Sequence, residues 1–356
     1  MVRIAECDDR VMGAQVVPGF DVAVVEAWMG SNTRVVPPCT WVRLEGGHSN
    51  LTYELTDANG DSFVIRRPPE GDLLPKAHDM WREFRIIDAL HPVGVPVAEP
   101  IGFCDDRDVC DKHFYVMGKV GGDALYTAEQ TAPRLDEAAR ARVGNSFVDV
   151  LAHLHSIDPV DVGLGELGRH DGYIARQLKT WYGSWTMSAE HADYDDDRVH
   201  ALHERLQADL PEQGPARVVH GDYGVHNVMV DENGDVAAVL DWEIGTLGDP
   251  LADFAYALNA WIEPSDSEDA SDVSPTALPG FSSRADLVDR YGERTGADLS
   301  SLGYYRAFNS FKTACILHGV YARYRLGMKS TDGVDMDGLF QRIARSIELS
   351  EQHLAG

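Results

Sequence analysis

HGDYGVHNVMVDENGDVAAVLDWE, residues 220–243, is the stretch whose reading decides the fold. Two apolar runs, Val228–Val230 and Val236–Leu240, flank Asp231-Glu232-Asn233-Gly234-Asp235, and an Asn-Gly pair between such runs is a strong hairpin signal. With Gly234 at the centre of the turn, antiparallel pairing is expected to set Asn227 beside Asp241 at the open end. Asp222 sits on the loop entering the hairpin and would face the same space.

A carboxylate and an amide oxygen held together suit a hard cation such as Mg²⁺, which takes few protein ligands and keeps phosphates and water. Asp222 adds a carboxylate able to orient a substrate hydroxyl. Together these three groups are the minimum equipment for phosphoryl transfer. HGD or DWE alone is a common chance match, and loop Asp and Asn are often turn formers. The joint spacing around a hairpin carries the reading.

Upstream, an apolar stretch around Val22–Trp28 predicts a short helix stopped by Gly30 and Pro37-Pro38. Strand-like runs follow at Trp41–Leu44, Leu51–Leu55 and Ser62–Arg66, the last two flanking Asp57-Ala58-Asn59-Gly60-Asp61. The loop Glu45–Asn50 joins the first two. Gly46 and Gly47 let the backbone approach phosphates, and the amides there, with His48 and the Ser49 hydroxyl, can donate to them. The segment Ala77–Leu90 reads as a helix with Met80, Phe84 and Ile87 on one face, and Glu83 falls within that apolar stripe. A carboxylate there needs a cation, and Arg66, ending the preceding strand, is the candidate; Arg67 would point to the opposite strand face.

Two more strands are expected at Val97–Phe103 and Phe114–Val120, with Gly118 and Gly121-Gly122 as a hinge. From about residue 133 the pattern turns helical, with Ala138–His155, Gly303–Leu326 and Met336–Leu354 the clear segments. Glu263–Ser283, rich in Ser, Asp and Pro, reads as a solvated loop. The expected architecture is α+β: a β-sheet N-lobe over residues 1–120 and a mainly helical C-lobe over residues 121–356.

Composition narrows the partners. Of 356 residues 44% are apolar, enough for a packed core, while acids outnumber Lys and Arg 58 to 31 for a formal charge of −27. Lysine occurs only at Lys76, Lys112, Lys119, Lys179, Lys312 and Lys329. Such a surface repels nucleic acid and anionic membrane. Acids spread from end to end favour a salt-adapted, halophilic surface over a dedicated groove for a cationic substrate. No run approaches the ~20 apolar residues of a membrane span. The first ten residues lack a signal-peptide core, so a cytoplasmic location is expected. The cysteines (Cys7, Cys39, Cys104, Cys110, Cys315) form no CxxC pair and read as reduced thiols.

The segments GGHSNLTYEL (46–55), FVIRRPPEGDLLPKAH (63–78), GVPVAEP (94–100), FYVMGKVGG (114–122), HGDYGVHNVMV (220–230), LDWEIGTLGDPLADFAYAL (240–258) and YYRAFNSFKTACILHGVYARY (304–324) resemble the aminoglycoside phosphotransferase/choline kinase superfamily, relatives of the protein kinases. They are most similar to the branch fused to acyl-CoA dehydrogenases in larger proteins. The resemblance implies a two-lobed protein-kinase-like fold, ATP and Mg²⁺ as cofactors, Asp222 as the catalytic aspartate and Asn227 and Asp241 as metal ligands. It also implies Arg66 as a phosphate contact paired with Glu83, adenine contacts from backbone near Met117 and Lys119, and structural anchors at Asp249 and Asp253. Most members carry lysine where this chain has Arg66, although this branch tends toward arginine, which keeps its charge and grips phosphate bidentately.

For the acceptor the branch implies a hydroxyl on a small metabolite, such as a hydroxyacyl thioester or related hydroxy acid. An aminoglycoside is the alternative, and a nucleotide-binding pseudokinase or regulatory module is an alternative of another class. His153 and His155 end a helix without a third ligand nearby and read as structural. Tyr304, Tyr305, Phe308, Phe311, Tyr321 and Tyr324 read mainly as core, some of them bordering an acceptor pocket in this family.

Overall fold

The computed structural model describes residues 17–44, 50–71, 78–267, 270–328 and 330–355. The phosphate-loop expectation at Gly46, Gly47, His48 and Ser49 lies outside the described residues. Two compact units emerge, Met1–Phe84 with Glu99–Lys119, and Arg85–Ala98 with Val120–Gly356. Residues 85–98, which the sequence reading assigned to the first unit, belong with the second.

The first unit opens with α1 (Val22–Asn32), whose first turn is capped by Asp21 accepting from the Val24 amide. Gly30 does not stop the helix; it ends two residues later, ahead of Pro37-Pro38. Five antiparallel strands follow: β1 (Thr40–Arg43), β2 (Leu51–Thr56), β3 (Ser62–Arg67), β4 (Pro100–Cys104) and β5 (Phe114–Gly118), in spatial order β1-β2-β3-β5-β4. The β2–β3 turn is closed by Asp57, whose Oδ1 accepts from the amides of Asn59 (2.8 Å) and Asp61 (3.0 Å). Alternate residues of β2 are buried, and Leu55, Phe63, Ile65, Phe114 and Val116 pack with Val25 and Met29 of α1. The helix α2 (Met80–Leu90) follows β3 in the chain.

The second unit contains two small sheets and most of the helices. The strands β6 (Asp123–Ala124), β8 (Val228–Val230) and β9 (Val236–Val239) form one sheet, and β7 (Arg217–Val219) pairs with β10 (Thr246–Gly248) in the other. The helices are α3 (Ala128–Thr131), α4 (Glu137–Ser156), α5 (Tyr173–Ala192), α6 (Asp197–Ala208), α7 (Pro250–Ala260), α8 (Ala270–Val273), α9 (Arg284–Thr295), α10 (Leu302–Arg325) and α11 (Met336–Ala355). The long α10 packs against α5, α7 and α11. Among the described residues no helix is long and apolar enough to cross a membrane.

Two expectations need correction. The β8–β9 register runs Val228↔Val239 but Val230↔Val236, with a bulge between Met229 and Val230. The pairs beside the turn centre it on Asn233 rather than Gly234, which alone would set Asn227 opposite Val239. The extra residue at the bulge moves it to Leu240, whose amide donates to the Asn227 carbonyl at 2.8 Å, and Asp241 falls one residue beyond. Nor is Glu263–Ser283 merely solvated. Pro275, Thr276 and Ala277 form a buried turn in which the Thr276 hydroxyl accepts from the Ile262 amide (3.0 Å) and donates to its carbonyl (2.9 Å). Those bonds let backbone enter the interior without orphaned polar groups.

Candidate active site

The loop His220–Gly224 leaves β7 and is held from behind by α7. Asp253, buried on the first turns of that helix, accepts the His220 amide on Oδ2 and the Gly221 amide on Oδ1, both at 2.7 Å. Its Oδ2 also lies 3.3 Å from Nε2 of His155, whose Nδ1 is 2.8 Å from the Tyr291 hydroxyl. Burial alone would raise the Asp253 pKa, but His155, His220 and their hydrogen bonds hold it below the usual carboxylate range. Asp249 caps α7 at the Leu251 amide and accepts the Tyr305 hydroxyl at 2.6 Å. Both anchors expected from the resemblance therefore have geometric roles.

His220 links the two halves of the motif. Its Nε2 meets the Leu240 carbonyl at 2.7 Å and its Nδ1 accepts the Asp222 amide at 3.3 Å, an arrangement that places the ring proton on Nε2. Gly221 adopts φ +84°, where a side chain is disfavoured.

Asp222 is half-buried. Its Oδ1 accepts a hydrogen bond from the Tyr256 hydroxyl and lies 3.7 Å from His226 Nε2, and its Oδ2 accepts from Asn227 Nδ2 at 3.0 Å. Burial would raise its pKa, but the neighbouring His226 ring and the hydrogen bond from Tyr256 outweigh it and lower it, so the carboxylate is ionised at neutral pH. Lys312 on α10 donates to the Gly221 carbonyl at 3.3 Å and lies 5.3 Å from the centre of the Tyr256 ring. Burial pulls the Lys312 pKa down, against the opposing pull of Asp253 and Asp222.

Asn227 is buried, and its amide nitrogen donates to the carbonyl and the carboxylate of Asp222. That leaves its amide oxygen as the donor for a cation. Asp241 ends the hairpin with φ 60°, ψ 62°, a left-handed conformation that costs an L-residue about 1 kcal/mol or more. Trp242 behind it is buried, with its indole N–H on the Val239 carbonyl at 3.1 Å. An amide oxygen and a carboxylate form a hard donor set that fits Mg²⁺. Among the described residues no three His, Cys, Asp or Glu side chains gather as a metal cluster, so an ion here would draw its remaining ligands from phosphate and water.

Within the first unit, Arg66 Nε lies 3.2 Å from Glu83 Oε2, and Glu83 is 1% exposed. Tyr115 donates to the same Oε2 at 3.0 Å. Asn50, with its oxygen toward the guanidinium, accepts from Arg66 Nη2 (2.8 Å) and Nε (3.1 Å) and donates to His78 Nδ1 (2.9 Å). Arg67 points to the other strand face, buried against Gly19, Phe20 and Asp111. Met117 pairs with Val64. The Lys119 amide donates to the Ser62 carbonyl at 3.2 Å and its ammonium meets Glu54 at 2.6 Å.

His153 meets the Val93 carbonyl at 2.9 Å while His155 turns into the Asp253 network, so the two do not form a metal pair. Tyr305, Phe308 and Phe311 are core residues. Tyr256 and Lys312 escaped the sequence reading. The available signals were the i, i+3 spacing of Asp253 and Tyr256, which share a helix face, and one lysine within an aromatic helix of a lysine-poor chain.

Residues 40–296 match the family described as the phosphotransferase enzyme family. Curated relatives include acyl-CoA dehydrogenase family member 11 of Homo sapiens, 32% identical over 330 residues (90% of this chain, 42% of that protein), and family member 10 of Mus musculus, 33% identical over 311 residues (86% and 28%). The chain thus spans about two fifths or less of the length of these relatives. A Ralstonia eutropha protein provisionally assigned as an aminoglycoside phosphotransferase superposes with TM-score 0.79 at 28% identity, covering 94% of this chain and 98% of its own. Choline kinase from Cryptosporidium parvum, at 10% identity and TM-score 0.57 with 92% and 97% covered, shares the protein-kinase-like fold. The chain belongs to the phosphotransferase enzyme family, a kinship that supports a small-molecule phosphotransferase.

Proposed function

We propose that this chain transfers the γ-phosphoryl group of ATP to a hydroxyl of a small metabolite, with Asp222 as the residue that receives the acceptor. The observation carrying this reading is the Asp222–Asn227 pair. Asn227 fixes one carboxylate oxygen of Asp222 through its amide nitrogen and turns its own oxygen to metal duty. Asp222 orients the acceptor hydroxyl and takes its proton late, because the transition state is loose and asks little base strength. Mg²⁺, held by Asn227 and Asp241 when present, would offset charge on the phosphates. Arg66, steadied by Glu83, Tyr115 and Asn50, keeps a fixed guanidinium for phosphate oxygens. A neighbour at 16% identity, an aminoglycoside phosphotransferase solved with AMP-PNP and hygromycin B, supports ATP as donor.

For the acceptor, kinship with acyl-CoA dehydrogenase family members favours a hydroxyacyl thioester or related hydroxy acid. The Ralstonia eutropha neighbour supports the aminoglycoside alternative. Against it, Lys312 sets a cation beside Asp222, which disfavours a polycationic acceptor. The test is transfer from γ-labelled ATP to hydroxyacyl-CoA thioesters, free hydroxy acids and aminoglycosides, with Asp222→Asn in parallel, at high salt as suits an acidic surface. Transfer to a hydroxyacyl compound, reduced by about 10²–10⁴ in Asp222→Asn with nucleotide affinity kept, is the expected result. Undiminished transfer by Asp222→Asn rejects the assignment, and nucleotide binding without turnover on any acceptor points to a regulatory module.

A further inference from the structure

Both oxygens of the Asp222 carboxylate already carry partners. Asn227 donates to Oδ2 at 3.0 Å, and the Tyr256 hydroxyl donates to Oδ1. Tyr256 comes from α7, one turn beyond Asp253, which holds the amides of His220 and Gly221. Its ring is steadied by Lys312, which is at the same time bonded to the Gly221 carbonyl. Helices α7 and α10 therefore fix a neutral hydroxyl donor onto the catalytic carboxylate.

A hydroxyl donating to this carboxylate makes the contact that an acceptor alcohol makes before transfer. A phenol cannot leave the site as water can, and it is preorganised by the fold. Free water must compete with it without other binding energy. An acceptor bound through the rest of its structure brings that energy and can displace the phenol.

We propose that Tyr256 is a specificity residue that occupies the acceptor position on Asp222 until a bound acceptor displaces it, and so keeps water from the carboxylate. The inference rests on the reading of Asp222 given above. In transfer, the acceptor O–H proton passes to Asp222 Oδ1, the acceptor oxygen bonds the γ-phosphorus, and the bond from that phosphorus to the bridging oxygen breaks to release ADP. In the wasteful alternative, water replaces the acceptor and the products are ADP and inorganic phosphate. Tyr256 suppresses the second course.

The experiment is phosphate release from Mg·ATP without acceptor, by the purified full chain, for the unaltered protein, Tyr256→Phe, Lys312→Gln and Asp222→Asn. Tyr256→Phe keeps the ring and removes the hydroxyl, and release should rise roughly five- to tenfold, the size of one hydrogen bond. Lys312→Gln keeps a donor for Gly221 but removes the cation beside the ring, and release should rise about two- to threefold. Melting temperature and ADP affinity in the same samples report whether each variant is folded. Unchanged or diminished release in both folded variants overturns the proposal, as does phosphate found on Tyr256 by mass spectrometry. If Asp222→Asn releases phosphate as fast as the unaltered protein, the Asp222 reading itself fails. If Asp222→Asn is silent while Tyr256→Phe matches the unaltered protein, only the role of Tyr256 fails.

Discussion

Asp253 Oδ1 accepts the backbone N–H of Gly221 at 2.7 Å, so a buried helix carboxylate holds the loop that carries Asp222. The His220 amide on Oδ2 and the nearby His155 ring complete its environment. Asp253→Asn would turn an amide nitrogen toward one of those donors. Stability should fall by about 2–4 kcal/mol in urea denaturation, and transfer activity should fall with it.

Gly60 and Gly234 have similar dihedrals, φ +85° and +92°, but different surroundings. A Cβ on Gly60 meets nothing within 4 Å, whereas one on Gly234 would stand 2.1 Å from the Ala139 carbonyl oxygen. Gly60→Ala should cost about 1 kcal/mol from dihedral strain alone. Gly234→Ala adds a backbone clash and should cost about 3 kcal/mol or more, read by the same denaturation curves.

The Arg66–Glu83 pair tests the nucleotide side of the proposal. Glu83→Gln removes the charge that steadies the guanidinium, and ADP affinity measured by calorimetry should weaken about tenfold. Arg66→Lys should keep more affinity than Arg66→Met, because the lysine retains a charge but loses the bidentate fork. Equal affinities in all three variants would remove Arg66 from phosphate binding.

Burial, with Arg306 and Arg284 nearby, lowers the His353 pKa to about 4; Arg345 adds to this, and Ser310 Oγ lies 3.4 Å from Nδ1. An unfolded histidine titrates near ~6.5. Because the folded value is depressed, the stabilisation is full above the unfolded value and is lost as pH falls from there to about 4. His353→Gln should flatten the stability curve across that window while leaving its alkaline side unchanged, as followed by melting temperature against pH.

The hairpin and its flanking motif were legible because their signals are local. Val228–Val230, the Asn233-Gly234 turn and Val236–Val239 need only one another, and the structure forms that hairpin. The same holds for the β2–β3 hairpin, for α4, expected over Ala138–His155, and for the Arg66–Glu83 pair, inferred from a carboxylate on an apolar helix face. The register was not legible, because the pairs beside the turn, Val230 with Val236 and the Asp231 amide on the Asp235 carbonyl, centre it on Asn233 rather than Gly234. The bulge, which leaves the apolar pattern nearly unchanged, then carries Asn227 from Val239 to Leu240.

By itself the sequence determined the order of elements and the residue types of the site, since turn chemistry, helix caps and periodicity are decided by neighbours a few positions away. Only the tertiary structure decided what surrounds Asp222. Tyr256 reaches it across 34 positions and Lys312 reaches Gly221 across 91, and those meetings depend on how α7 and α10 pack. Packing is chosen by the whole core at once, so no local pattern in the chain ranks one distant partner above another.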